Sequence, residues 1–354
     1  MLKKHVAAAA FAAMLALGGA LPAFADEATA PSVGGQGTQE SPLSLSVVKR
    51  LTLAEGIAVP EATVEFTIEA VTADAPKASV GSIEFNRNDN VGDLKDGNIY
   101  VISKNATVSF EAFPHAGVYE YTVAETSGSV AGMTYATNTY AVRVYVANAT
   151  DGSLFIKNVT AQNNDKSKAS EIAFDNTYTK NASLVISKTT VGDLADKTRD
   201  FNFEITFTKA TTSGDNTFEG RIGDKSVTCK AGEAASFQLH DGESLEFSNL
   251  PAGTRYVVTE VAAEDGYAPS VKVIENGVEE TGRSAADDEG LSSSETGTNL
   301  VGEGANSVAF TNTQVDVPLT GVLVNNAPFA IAVVLGAFAL LALGARRVMR
   351  SVRR

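Results

Sequence analysis

The apolar residues between Leu43 and Thr313 alternate with polar ones, with a period of two. Short runs rich in Val, Ile, Thr, Phe and Tyr are separated by Gly, Asn and Asp, which favour turns. No long stretch has the period of a helix in this part of the chain, so the pattern predicts an all-β protein of sandwich type. The clearest predicted strands are Thr63 to Val71, Gly117 to Ala124, Tyr140 to Val146, Phe201 to Thr208 and Thr254 to Val261.

The strand pattern occurs twice along the chain. Each copy opens on a strand that carries a lysine, contains a strand that ends in glutamate, and closes on Phe-x-Asn-Thr. The lysine and the glutamate are 76 residues apart in the first copy and 72 in the second, and the glutamate and the asparagine are 51 and 52 apart. This repeat predicts two tandem domains, residues 43–179 and 180–315. Within the second copy, Lys225 to Gly232 and Glu275 to Gly304 are predicted to be irregular. The shared landmarks are Lys49, Glu125 and Asn176, then Lys188, Glu260 and Asn312.

Alternation along the landmark strands places these six polar residues on the apolar face. Lys49 shares a face with Val47 and Leu51, and Lys188 shares one with Ile186. The glutamates and asparagines follow the same rule in their own strands. A buried charge costs several kcal/mol unless it is paired or neutralised, so each trio is predicted to meet inside its domain.

A buried trio of this kind has two interpretations. One is a structural Lys–Glu ion pair that is hydrogen-bonded to the asparagine. The other is chemical: desolvation removes the lysine proton and adds one to the glutamate. The neutral amine is then a nucleophile, and the protonated carboxyl group can polarise the amide and shuttle protons. Attack on the amide carbon releases ammonia and leaves a Lys–Asn isopeptide bond.

The N-terminal end carries an export pattern. Lys3 and Lys4 precede an apolar run, and Ala23-Phe24-Ala25 matches the small-x-small cleavage site of a secretory signal peptide. The predicted signal peptide is therefore residues 1–25. Residues 26–42 are rich in Gly, Ser, Thr, Ala, Gln and Pro without an apolar period, which predicts a disordered linker.

The C-terminal end, residues 316–354, combines a pentapeptide, an apolar run and a basic end. Val317-Pro318-Leu319-Thr320-Gly321 precedes an uncharged run from Ala327 to Gly344, and five arginines follow. The run just reaches the length of a membrane-spanning helix, and the arginines would keep its end in the cytoplasm. Taken alone, this pattern is that of a single-pass membrane anchor.

Composition narrows the classes of function. The chain has 28 Lys and Arg against 42 Asp and Glu, and seven of the basic residues lie in the two predicted terminal signals, so 21 remain in the mature chain. This acidic excess argues against nucleic acid and anionic membrane surfaces as partners. Cys229 is the only cysteine, so an intrachain disulfide is impossible even though export is predicted.

Both the tail and the trios resemble known proteins. The pentapeptide, apolar helix and basic end resemble the sorting signal of Gram-positive surface proteins, although the usual first residue is Leu and here it is Val317. The trios, with the strands Tyr-Glu-Tyr-Thr-Val-Ala-Glu125 and Tyr-Val-Val-Thr-Glu260, resemble the shaft subunits of sortase-assembled pili. The second domain, with Leu-Pro-Ala-Gly-Thr-Arg before its glutamate strand, also resembles collagen-adhesin B-type repeats.

The pilin resemblance implies a fold, a set of site residues and partners. The fold is two tandem Ig-like β-sandwich domains, each with one intramolecular isopeptide bond, and no cofactor. The implied partners are a sortase, neighbouring subunits in a covalent polymer, peptidoglycan, and a tip adhesin or host ligand on a Gram-positive surface. The implied residues are the bonds Lys49–Asn176, assisted by Glu125, and Lys188–Asn312, assisted by Glu260, with sortase cleavage between Thr320 and Gly321 and with Lys168 or, less favoured, Lys166 as the polymer-linking amine.

Three alternatives stay open at this point. The same domains could form a monomeric wall-anchored adhesin or a minor pilin. An enzyme on a β-sandwich is less favoured, because His115 and His240 are scattered and no zinc spacing, phosphate loop or Ser–His–Asp order occurs. Calcium could bind at Asn86 to Asn90 or at Asp287-Asp288-Glu289, but acidic loops are usually only solvated, so we predict no metal site.

Overall fold

The computed structural model describes Val33 and residues 35–262, 266–286 and 289–314. Every regular secondary-structure element in these ranges is a β-strand, which confirms the predicted all-β class. In the same ranges we find no helix with the length and hydropathy to cross a membrane. The predicted signal peptide, residues 26–32 and 34 of the linker, and the sorting signal with Thr320 and Gly321 lie outside the described residues.

The first half of the described chain contains eleven strands, which form two sheets. One sheet has the strand order 3-5-1-11-7, and the other has the order 10-9-8-6-2-4. The strands are β1 (Leu45–Ala54), β2 (Ala62–Ala70), β3 (Ala78–Val80), β4 (Ile83–Phe85), β5 (Ile99–Phe110), β6 (Gly117–Thr126), β7 (Met133–Thr134), β8 (Thr139–Asn148), β9 (Leu154–Gln162), β10 (Lys168–Ala169) and β11 (Ala173–Tyr178).

The second half contains thirteen strands in two further sheets. The larger has the order 15-14-17-12-24-19-20, with β21 paired to β19, and the smaller has the order 16-13-18-22, with β23 paired to β18. The strands are β12 (Asn181–Val191), β13 (Phe201–Thr208), β14 (Thr217–Ile222), β15 (Lys225–Lys230), β16 (Ala234–Leu239), β17 (Ser244–Pro251), β18 (Arg255–Glu260), β19 (Tyr267–Glu275), β20 (Val278–Glu279), β21 (Arg283–Ser284), β22 (Leu291–Ser292), β23 (Asn299–Leu300) and β24 (Ser307–Gln314).

Each pair of sheets encloses an apolar core, which is formed by the side chains that point inward from the strands of both sheets. In the first half, Val47 of β1 and Phe174 of β11 pack with Val123 of β6 from the facing sheet. In the second half, Ile186 of β12 packs with Val258 of β18 in the same way. Buried residues alternate with half-buried ones along most of β1 and β6, because neighbouring side chains point to opposite faces; β1 also buries Val48 and Ala54.

The first and last strands of each half are parallel neighbours with the same register. Lys49 of β1 lies opposite Phe174 of β11. Lys188 of β12 lies opposite Phe310 of β24. The asparagine of Phe-x-Asn-Thr is two residues further along, so it lies on the same face as the lysine in both halves.

One sequence-based expectation for the second half is wrong. The segment from Lys225 to Gly232 was expected to be irregular, but Lys225–Lys230 is strand β15, which pairs with β14 over six residues. Its alternation is weak because only Cys229 in this strand is fully buried. The segment from Glu275 to Gly304 contains short pairings only, in β20 to β23.

The two halves meet through a small, mixed interface. Only two residues, Thr179 and Lys180, separate β11 from β12. The Lys180 amine contacts Glu303 Oε1 at 2.5 Å, and Glu303 Oε2 accepts a hydrogen bond from the Ala58 backbone at 3.0 Å. A small apolar cluster lies beside these contacts, and Arg255 pairs with Glu55 across the same junction. The cluster contains Ala54, Ile57 and Ala252.

Gly253 lies at this junction and provides a test of it. Its φ is +92°, and a Cβ added there would lie 2.4 Å from the Ala54 Cβ. Gly253→Ala should therefore open the junction, because overpacking of this kind costs about 1–3 kcal/mol. We expect trypsin to cleave after Lys180 roughly 5- to 150-fold faster than in the native chain, since each 1.4 kcal/mol is a factor of about ten.

Gly242→Ala is the matched control for this measurement. Gly242 has a similar φ of +82° but open space around an added Cβ, so it carries the backbone strain without the clash. Equal cleavage rates in the two variants would show that the Ala54 contact does not hold the junction closed.

Candidate functional site: two buried Lys–Glu–Asn trios

The first trio lies between the two sheets of the first half. Lys49 and Asn176 come from β1 and β11, and Glu125 comes from β6 in the facing sheet. The Lys49 amine lies 2.7 Å from Glu125 Oε2, and the Asn176 amide nitrogen donates to Glu125 Oε1 at 2.7 Å. The Lys49 and Glu125 side chains have no solvent exposure. The carboxyl group therefore bridges the amine and the amide of the two outer strands.

The second trio repeats this arrangement with one difference. The Lys188 amine lies 2.7 Å from Glu260 Oε1, and the Asn312 amide nitrogen donates to the same oxygen at 2.6 Å. The Lys188 and Glu260 side chains are at most 1% exposed. Glu260 Oε2 and Asn312 Oδ1 are buried and have no hydrogen-bond partner among the residues that the structure describes.

Burial controls the protonation of both lysines. Desolvation lowers the pKa of Lys49, and the hydrogen bond and charge of Glu125 oppose that shift. Desolvation lowers the pKa of Lys188 to about 8, against the charge of Glu260. The same burial raises the pKa of Glu260. In the second trio these directions favour a neutral amine beside a protonated carboxyl group, and in the first the lowered pKa of Lys49 favours a neutral amine. A neutral amine is the state that nucleophilic attack on an amide requires.

Aromatic rings line both trios, and two of them, Phe66 and Phe203, were not expected from the sequence. Phe66 of β2 lies opposite Glu125 and packs on Phe174, with ring centroids 5.6 Å apart. Phe203 of β13 lies opposite Glu260 and packs on Phe310 at 5.2 Å. The repeat therefore extends to a phenylalanine 59 and 57 residues before the two glutamates, a spacing that could have been found in the sequence.

The backbone near Asn176 adds a further contact in the first half. The Ala136 N–H donates to Asn176 Oδ1 at 2.8 Å. Ala136 lies between β7 and β8, in a segment that Asn138 attaches to β11 by donating to the Ala173 carbonyl at 3.2 Å. Each Asn176 side-chain polar atom therefore has its own partner.

The two candidate linking lysines lie next to each other on the surface. Lys166 is in the turn between β9 and β10, with a φ of 66°. Lys168 begins β10 and borders an open surface pocket of about 540 Å³ that Arg50 and Glu171 also line. Both lysines are exposed.

Three of the candidate calcium ligands already contact a protein donor or a lysine amine. The Lys104 amine lies 2.7 Å from Asp89 Oδ2, and Asn86 Oδ1 accepts from the Asn88 backbone. Glu289 Oε2 accepts from the Ala286 backbone, while Asp287 and Asp288 lie outside the described residues. Another group has ligand atoms within 4.8 Å of one another, but its members are solvent-accessible and its histidine already contacts both carboxylates. That group is Asp200, His240 and Glu243.

Comparison with protein families gives a different match for each half. Residues 45–179 match the family described as Spy0128-like isopeptide containing domain. Residues 182–314 match a family described as a domain of unknown function, DUF7601.

Comparison with individual proteins gives pilus components. A Streptococcus pyogenes serotype M1 protein named Pilin is 28% identical over 270 residues, which cover 70% of this chain and 74% of that protein. The pilus tip adhesin Cpa of Streptococcus pyogenes is 41% identical over 83 residues, 23% of this chain and 12% of the adhesin. The solved major pilin from Streptococcus pyogenes covers 78% of this chain and 100% of its own, at 24% identity and a TM-score of 0.36.

The fold and the two trios define a protein of tandem β-sandwich domains with a buried Lys, Glu and Asn in each. Residues 45–179 match the Spy0128-like isopeptide containing domain, and the chain is a homologue of streptococcal pilins.

The mass of the purified mature chain tests whether the trios react. Two isopeptide bonds would leave the chain lighter than calculated by two ammonia molecules, because each bond expels one. Glu125→Ala should restore one ammonia, since the group that shuttles the proton is lost. Glu65→Ala, which removes an exposed glutamate from the neighbouring strand, is the control and should keep the full deficit. A native chain at its full calculated mass would leave the trios as hydrogen-bonded ion pairs.

The pH dependence of bond formation tests the protonation state of the second trio. The ion pair and the neutral pair contain the same single proton, so the rate should be flat while that proton is present. The rate of bond formation should fall above a pH of about 8, because the lowered pKa of Lys188 means that the pair loses this proton there. Peptide mapping of the Lys188–Asn312 bond during refolding measures this rate. A rate that keeps rising well above this pH would show that only the free amine matters.

Proposed function

We propose that this chain is the shaft subunit of a pilus that a sortase assembles covalently on a Gram-positive cell surface. The observation that carries the proposal is the pair of trios, each of which links the first strand of its domain to the last. The pilin homology over 70% of the chain supports it. The proposed domains are residues 43–179 and 180–315.

Each trio forms one Lys–Asn isopeptide bond in this proposal. Glu125 assists the reaction of Lys49 with Asn176, and Glu260 assists that of Lys188 with Asn312. A cross-link that closes a loop of more than 100 residues contributes about 5 kcal/mol on the chain-entropy account, through loss of freedom in the unfolded chain. The bonds replace the intrachain disulfides that a chain with only Cys229 cannot form.

The two ends of the chain provide export and assembly. Residues 1–25 direct secretion, and the apolar run after residue 326 retains the chain in the membrane until a sortase acts. The sortase cleaves between Thr320 and Gly321 and transfers the threonyl carbonyl to an amine of a neighbouring subunit, or to peptidoglycan at the base. The chain is in this view a sortase substrate with two single-turnover reactions of its own, and its relatives are structural and adhesive proteins.

Lys168 is the proposed amine that receives the next subunit. Its position at the edge of an open pocket gives a peptide room to approach, and it is eight residues before Asn176. Lys166, two residues earlier in the turn, is the alternative. Substituting each lysine by arginine keeps the positive charge and removes a primary amine that can be acylated.

An adhesin or minor pilin is the second candidate function. It is favoured by the 41% identity that 83 residues share with a pilus tip adhesin. A tip or wall-anchored protein needs Thr320 but no acceptor lysine of its own. It would therefore not form a ladder of high-mass species on its own cell surface.

Immunoblots of SDS-treated cell-wall extracts distinguish these functions. We expect a ladder in the native strain, loss of the ladder with Lys168→Arg, and retention with Lys166→Arg. Lys157→Arg is the matched control, because Lys157 is also exposed and lies on the adjacent strand β9. Loss only with Lys166→Arg would move the link to that residue. A ladder that survives both changes together would exclude both lysines, and a single band in the native strain would favour the adhesin.

A further inference from the structure

The two trios differ in what contacts the asparagine carbonyl oxygen. In the first, the Ala136 N–H donates to Asn176 Oδ1 at 2.8 Å. A backbone N–H can only donate, so it must face the oxygen of the side-chain amide and fixes which way that amide points. In the second, Asn312 Oδ1 is buried and has no hydrogen-bond partner within the described ranges of the chain.

The carboxyl group of the first trio is not free to take over this contact. Glu125 Oε2 contacts the Lys49 amine, and Glu125 Oε1 accepts from the Asn176 amide nitrogen. The carboxyl group therefore faces the nucleophile and the leaving group, while Ala136 faces the oxygen. In an acyl transfer, the carboxyl group would therefore handle the protons of the nucleophile and the leaving group, and the Ala136 N–H would contact the carbonyl oxygen.

We propose that the Ala136 backbone N–H is an oxyanion donor for formation of the Lys49–Asn176 bond, and that the second trio lacks an equivalent donor. This inference rests on the proposed isopeptide chemistry and adds a group to it. A donor aimed at an oxygen where negative charge develops stabilises the transition state more than the reactants.

The reaction balances without any other reactant. The neutral Lys49 nitrogen attacks Asn176 Cγ, and the carbonyl electron pair moves to Oδ1, where the Ala136 N–H stabilises it. Glu125 takes a proton from the attacking nitrogen and delivers one to Asn176 Nδ2. The carbonyl re-forms, the bond from Cγ to Nδ2 breaks, and one ammonia leaves for each bond formed.

The Ala136 segment is held in place before the reaction. Asn138 Nδ2 and the Tyr140 hydroxyl both donate to the Ala173 carbonyl, at 3.2 and 2.8 Å, and so attach the segment to β11 next to Asn176. The Tyr135 hydroxyl accepts from the Val130 backbone at 3.1 Å and holds the other side. A donor that is already positioned needs no reorganisation when charge develops.

Proline substitution at residue 136 tests whether the backbone N–H acts as the donor. The rate at which the Lys188–Asn312 bond forms in the same molecule is the internal reference. Ala136→Pro removes the N–H, and we expect the first bond to form about 100-fold more slowly relative to the second. Ala136→Gly keeps the N–H, and Thr137→Pro puts the same ring one residue further along. Both should retain the native ratio of rates, measured by mapping the two cross-linked peptides during refolding.

The outcomes separate this proposal from the proposed function. If Ala136→Pro leaves the ratio of the two rates unchanged, the donor role is wrong while the isopeptide bonds stand. If the native chain loses no ammonia, the isopeptide chemistry itself is wrong.

A second measurement decides the matter if Ala136→Pro does not fold. In Lys49→Met, which cannot react at the first trio, the Ala136 amide should exchange its hydrogen slowly. Adding Asn176→Ala should remove that protection. Fast exchange in the single variant, or protection that survives the second change, would overturn the assignment.

Discussion

A buried amine held against a buried carboxyl group is the constraint on which the rest of each domain depends. The contact of 2.7 Å between Lys49 and Glu125 has no access to water, so the cost of desolvation must be met by good geometry or by loss of charge. The geometry needs the first strand in one sheet and the glutamate strand in the other. It also needs the last strand beside the first, because Asn176 supplies the remaining partner of the carboxyl group. The site therefore requires β1 and β11 to be neighbours in one sheet and β6 to lie in the other.

The trios could be predicted from sequence because they obey the period of the strands and occur twice. The alternation of inward and outward residues along a strand is enough to place Lys49 and Lys188 inward. The same trio in both halves of the chain argues against a chance pattern. Phe66 and Phe203 were missed because an inward phenylalanine looks like any other core residue. The Ala136 donor has no signal at all, since it is a backbone group in a segment without regular structure. Strand β15 was missed because Cys229 is its only fully buried residue and the alternation is too weak to show.

Two different families meet in one chain with the same internal geometry. The half that matches DUF7601 has the lysine opposite the phenylalanine of Phe-x-Asn-Thr, as the Spy0128-like half does. Its glutamate also lies opposite a phenylalanine, which is on the neighbouring strand of the same sheet. The shared register identifies the trio as the common requirement. The edges of the sheets differ between the halves: the sheet of β12 extends through β17 and β14 to β15, whereas the sheet of β1 ends at β5 and β3 on that side.

The position of the linking amine decides what each bond does under tension. If Lys168 receives the next subunit, force enters the chain just before β11 and passes through Thr179 and Lys180 directly into β12. A bond from Lys188 to Asn312 then carries the force across the second domain to the tail, so that the residues between them bear none. The bond from Lys49 to Asn176 lies beside this path. If that bond forms, it would hold β1, and with it the first sandwich, against the loaded strand β11.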